Sequence, residues 1–94
     1  MKDYVDQLSA ELTQQYLIYL ETFLVDLWSD GGEIEFRVGY SLRADHRLRS
    51  FTVSVDALSA INDVERRAII AAVFVEIEDQ IDDAIAAAAE IVAN

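Results

Sequence analysis

Carboxylates are the side chains of this sequence whose spacing could do chemistry. Glu76, Asp79 and Asp83 recur at intervals of three and four residues, so a helix sets them on one face. Glu65 and Glu90 extend that face, and Glu78 and Asp82 lie on its flank. Acid–base catalysis would need two such carboxylates in a pocket that separates their pKa values, which an outward helix face does not supply. A hard cation such as Ca²⁺ or Mg²⁺ would accept carboxylate oxygens, but only from ligands that converge. The sequence has neither the Glu-x-x-His pairs of di-iron bundles nor the spacing of an EF-hand loop, so no metal and no cofactor is expected. Nucleophilic catalysis is equally unsupported: there is no Cys, and the single His, His46, sits in a polar turn with no strand-to-helix elbow around it. What remains is electrostatic recognition. Carboxylates without interleaved Lys or Arg gain nothing from helical pairing, so the row either solvates the helix or waits for a basic partner.

A second set of charges is basic. Arg43, Arg47 and Arg49 cluster near a turn with His46, and guanidinium groups suit bidentate contact with a carboxylate or phosphate. They are candidate anion contacts, or ion-pair partners of nearby acids.

These side chains require elements to hold them. Residues 62–93 read as one long helix, with Ile70, Phe74, Ile77, Ile81, Ala84, Ile85, Ala88 and Val92 along its apolar side. Asn62-Asp63-Val64-Glu65 has the spacing of a capping box at its start. Residues 33–42 and 48–56 alternate apolar and polar with period two, as Ile34, Phe36, Val38, Tyr40 and Phe51, Val53, Val55 show, and predict an antiparallel hairpin. Residues 3–29 read as a first helix, with Asp3 at its start and Gly31 or Gly32 at its end. Its main stripe is Val5, Leu8, Leu12, Tyr16, Tyr19, Leu20, Phe23 and Leu27. Beside it, Leu17, Leu24 and Trp28 form a further apolar patch that one surface can hardly cover, and so a candidate oligomer interface. The expected fold is therefore α+β: one domain ordered helix–strand–strand–helix, an antiparallel β-hairpin packed on two long helices. A lone ribbon leaves unpaired edges, which a second copy could pair.

Composition narrows the function. Of 94 residues, 53% are apolar, a surplus for so small a domain that points to a homo-oligomer, in the simplest case a dimer. The net charge is -11, unevenly spread: residues 68–94 hold six acids and no base. That balance argues against direct nucleic-acid binding and favours a basic protein partner. The absence of Cys fits a reducing cytoplasm, the N-terminal residues carry no apolar leader core, and no run is long enough to span a bilayer. The leading expectation is a small acidic, non-enzymatic binding or inhibitor protein. Glu76, Asp79, Asp82, Asp83 and Glu90 would occupy the basic surface of a nucleic-acid-handling partner as a nucleic-acid mimic does. Viral inhibitors of host defence are one setting for proteins of this size and charge. The alternatives are a homo-oligomeric assembly or chaperone-like protein, and an oligomer that binds an anionic small molecule through Arg43, Arg47 and Arg49.

Overall fold

The structure, a computed structural model, describes residues 2–56 and 62–93, and the side chains of all of these except Asp30 and residues 90–93. The order of elements is α1 (Lys2–Gln15), β1 (Leu20–Asp30), β2 (Glu33–Leu42), β3 (Leu48–Asp56) and α2 (Asp63–Ala93). The class is α+β, and the sheet is antiparallel with strand order β1-β2-β3. β2 and β3 occupy the two segments where alternation predicts strands, and α2 the segment where the helical stripe does.

The correction lies between residues 3 and 29, which are not one helix. α1 stops at Gln15, residues 16–19 turn, and Leu20–Asp30 is a third strand. The turn is closed by Tyr16, whose carbonyl accepts the amides of Tyr19 and Leu20, each at 2.9 Å. Gly31-Gly32 accordingly joins two strands instead of ending a helix. Asp30 pairs with Glu33 across this two-residue loop, and Gly31 takes φ +62. Glycine adopts that conformation without strain, which is why a tight hairpin forms there. Asp3 likewise lies inside the first turn of α1 instead of before it.

One face of the sheet is the floor of the core. Ile34, Phe36, Val38, Tyr40 and Leu42 of β2 are all buried, as period-two alternation requires of a central strand. Phe23, Val25 and Leu27 of β1 stand opposite Tyr40, Val38 and Phe36, and Phe51, Val53 and Val55 of β3 stand opposite Val38, Phe36 and Ile34. Both helices lie on this face. α2 contributes Ile70, Val73, Phe74, Ile77, Ile81 and Ala88 to the cluster, and α1 contributes Val5 and Leu12. The molecule measures 48 Å along its longest axis. A 31-residue helix rises about 46 Å, so α2 sets that length. Asn62 caps it as its spacing predicts, its side-chain oxygen accepting the Glu65 amide at 2.9 Å. Among the described residues, no helix is long and apolar enough to cross a membrane.

The opposite face of the sheet is open. From β1 it presents Thr22, Leu24, Asp26 and Trp28, from β2 Glu35, Arg37, Gly39 and Ser41, and from β3 Leu48, Ser50, Thr52 and Ser54.

Candidate binding surfaces

The carboxylate row lies where the helical spacing puts it. Glu76, Asp79, Asp82 and Asp83 are all exposed on α2, while Ile77 and Ile81 between them are fully buried. Glu78 is half-buried on the flank. Glu90, the fifth acid of the expected row, lies outside the described side chains. Asp82 has a defined partner: its Oδ1 accepts the Tyr16 hydroxyl at 2.7 Å. Burial, and then this bond, push the Tyr16 phenol above its ordinary value.

The cations of the chain are placed elsewhere. Arg37 donates to Glu35 at 3.1 Å, and its guanidinium carbon lies 4.1 Å from the centre of the Trp28 ring. Arg43 Nε donates to the Leu17 carbonyl at 3.2 Å. Arg66 meets Asp63 at 3.1 Å, and Arg67 lies 5.5 Å from the centre of the Tyr4 ring. Among the described residues, no salt bridge reaches Glu76, Asp79, Asp82 or Asp83.

The three candidate anion-binding arginines are brought near one turn, but they do not form a free clamp. Arg49 gives two hydrogen bonds to Asp45, at 3.0 and 2.6 Å. The Arg47 amide adds a third to the same carboxylate at 3.1 Å. The guanidinium bond first, and the amide bond second, pull the Asp45 carboxyl down to about 2. The same pairing raises Arg49. Arg47 is exposed at the tip and Arg43 is held by Leu17. An incoming anion would therefore have to compete with Asp45.

This pairing makes a pH prediction. Asp45 is depressed in the folded state, so its contribution to stability is complete above the unfolded carboxylate value of about 3.9 and is lost as pH falls through about 2. The melting temperature of Asp45→Ala should lie below that of the parent by a constant amount from neutrality to about pH 5. The gap should then close between about pH 4 and pH 2. Thermal unfolding of both proteins across this range checks it, and a gap that persisted unchanged at pH 2 would remove the ion pair from the account.

A polar network that the sequence does not announce surrounds the start of β1. The register slips between Leu20 and Thr22, so Glu21 is the extra residue of a bulge. Glu21 and Thr22 therefore both reach Ser41. The buried Ser41 hydroxyl donates to Glu21 Oε2 at 3.0 Å and meets the Thr22 hydroxyl at 2.8 Å. Glu21 Oε1 lies 2.7 Å from His46 Nδ1, a distance at which the ring N–H donates. The His46 bond first, and the Ser41 bond second, lower the Glu21 carboxyl. His46 is held there with φ +59, a left-handed turn conformation. The arrangement joins a carboxylate, an imidazole and a hydroxyl. Glu21 and His46 are both exposed, and the arrangement ties the β2–β3 turn to β1.

The expected apolar patch is divided by the third strand. Leu17 lies in the turn before β1, while Leu24 and Trp28 lie on the open face of the sheet; they are 50%, 61% and 52% exposed. They thus belong to a turn and a strand and do not form a stripe on one helix. Leu48, 78% exposed, shares the open face. A further apolar surface, read from no local pattern, is a groove of about 540 Å³ between the C-terminal part of α2 and the turns before β1 and β3. Ile18, Tyr19, Leu42, Arg43, Ile85 and Ala88 line it. Among the described residues, no three His, Cys, Asp or Glu side chains are placed to hold a metal ion. No family model matches this chain, and no curated protein or solved structure is similar to it at a significant level.

Proposed function

We propose that this chain is a non-catalytic binding protein whose α2 carboxylates dock on a basic surface of a protein partner. The observation that carries the reading is the uncompensated row. Glu76, Asp79 and Asp83 are exposed, and five of the six arginines, Arg37, Arg43, Arg49, Arg66 and Arg67, are engaged with Glu35 and Trp28, Leu17, Asp45, Asp63 and Tyr4, while Arg47 is exposed at the β2–β3 turn. Like charges at helical spacing destabilise by roughly 0.2–0.5 kcal/mol per pair. A surface meant only to solvate could avoid that cost by interleaving lysines. Asp79 and Asp83 are four residues apart, about 6 Å along the axis, and so begin a linear array of negative charge. Basic sites that handle nucleic acid are built to meet such an array. A viral inhibitor of a nucleic-acid enzyme is one setting for it. Complementary charge would speed association and make it sensitive to salt.

The test is a pull-down from the native cell at low and high salt, repeated with Asp79→Lys/Asp83→Lys and with double-stranded DNA as competitor. The expected result is a basic protein captured at low salt, released by DNA or by salt, and captured at least tenfold less by the double variant. Capture that survives both charge reversal and DNA sinks the reading. A second reading, an assembly or client-holding protein, draws on the exposed Leu24 and Trp28 of the open sheet face. The same pull-down separates them, because Leu24→Asp/Trp28→Asp would then abolish capture while reversal on α2 left it intact.

A further inference from the structure

The two edges of the sheet differ in what they can accept. β1, at one edge, carries three acids and no base, and its pairing is interrupted by the bulge at Glu21. Charges and bulges are the devices by which an edge resists pairing, and two copies of β1 would bring like charges together. β3, at the other edge, has no bulge, and its two charged residues, Arg49 and Asp56, are of opposite sign. It runs for nine residues as Leu-Arg-Ser-Phe-Thr-Val-Ser-Val-Asp, without Pro, Gly or Lys and without a register shift against β2. Its one cation, Arg49, is neutralised by Asp45. Among the described residues, no backbone hydrogen bond falls on the outer side of residues 48–55.

From these edges we infer that β3 pairs antiparallel with β3 of a second copy, extending the sheet to six strands. The inference does not rest on the reading of α2 above. The occupant is identified by the strand's own symmetry. The register that uses its whole length centres a two-fold axis on Thr52 and sets Leu48 opposite Asp56 of the second copy. On the open face, Ser50 then meets Ser54, Thr52 meets Thr52 and Ser54 meets Ser50, so that hydroxyl faces hydroxyl at the three central pairs, with Leu48 and Asp56 at the ends. Such cross-strand pairs are favourable. On the helix side, Phe51 meets Val53, and Val55 meets the aliphatic stem of Arg49. Phe51 and Val55 are only half-buried in one copy, so the second copy completes the cover of the core at this edge. The two-fold axis is perpendicular to the sheet, which keeps all four helices on one side and places both rows of α2 carboxylates on the same assembly. A two-fold contact of this kind closes at two copies.

The chain has no cysteine, so one introduced thiol reports on one position. In an antiparallel pair, opposed Cα atoms lie about 4.5–5.5 Å apart, within the span of a disulfide. Thr52→Cys should therefore oxidise to a covalent dimer nearly completely. Asp26→Cys on β1 should not, since its counterpart would lie five strand spacings away, about 24 Å. Light scattering of the unmodified protein should give twice the 10.6 kDa chain mass. Thr52→Lys, which sets two lysines face to face at the axis, should give a helical monomer by light scattering and circular dichroism. Thr52→Cys is a small change at an exposed position, and keeps the test valid if the lysine variant does not fold. A monomer at high micromolar concentration, cross-linking of Asp26→Cys as complete as that of Thr52→Cys, or growth into filaments through β1 against β3 would each overturn the inference.

Discussion

Ile77→Ala is expected to remove a large share of the stability of this protein. Ile77 is 0% exposed, and it belongs to the one cluster that joins Phe36 and Val38 of the sheet to Ile70, Phe74 and Ile81 of α2. Truncation of a buried isoleucine to alanine costs about 2–5 kcal/mol, because transfer energy is lost and the site collapses only in part. A chain of this length is stable by about 5–14 kcal/mol in all. At about 4–8 °C per kcal/mol, the melting temperature should fall by roughly 8–40 °C. Ile77→Val, which removes one methylene, should cost only about 0.5–1.5 kcal/mol. Glu76→Ala, one position away on the exposed face, should stay within about 0.5 kcal/mol of the parent. Denaturant unfolding of the three variants checks the order. A loss below 1 kcal/mol for Ile77→Ala would mean that α2 does not depend on this seam, and the account of the core would be wrong.

The contrast between Ile77 and Glu76 also shows why α2 was legible from its sequence. Its apolar and acidic positions segregate at helical period, so element, buried face and carboxylate row follow from one pattern. β2 and β3 were legible for the matching reason, with one face apolar and the other not. Residues 20–29 defeated the same method because they are apolar on both faces of the strand they form. Phe23, Val25 and Leu27 face the core, and Leu24 and Trp28 face the open side, so alternation is hidden and a broad helical arc fits as well. Two local signals favoured the strand. Thr22, Phe23, Val25 and Trp28 are strand-forming residue types, and two glycines between apolar runs mark a two-residue hairpin loop. The remaining features were out of reach for a different reason. The Glu21–Ser41–His46 network needs a bulge to set register, and the Arg49–Asp45 pair needs a turn geometry that composition does not specify. The groove beside Ile18 and Ile85 joins residues far apart in sequence. The open edge of β3 could be anticipated only as an unpaired ribbon. Which edge is guarded by charge became visible once β1 was placed beside β2.

Tyr16 marks the point where helix gives way to strand, and its replacement is the second large effect expected. Its amide closes the last turn of α1 on the Leu12 carbonyl at 3.0 Å, and its own carbonyl starts the turn into β1. The ring is 7% exposed in the core, while its hydroxyl reaches Asp82 on α2. The side chain thus joins the end of α1, the start of β1 and the middle of α2. Tyr16→Ala should cost about 3–5 kcal/mol, as for other buried aromatic residues. Tyr16→Phe keeps the ring and removes one hydrogen bond to a charged acceptor, a loss of about 1.5 kcal/mol. Asp82 is exposed, so water can satisfy its carboxylate once the hydroxyl is gone, which holds the loss at that lower end. A double-mutant cycle of Tyr16→Phe with Asp82→Ala isolates the bond from the packing, with an expected coupling of about 1 kcal/mol. If the two effects simply add, the contact at 2.7 Å does not hold the helices together, and ring burial alone anchors the junction. If they couple as expected, Asp82 has a structural role that Asp79 and Asp83 lack. Charge reversal at Asp79 and Asp83 can then test recognition while leaving the fold intact, whereas reversal at Asp82 would disturb both.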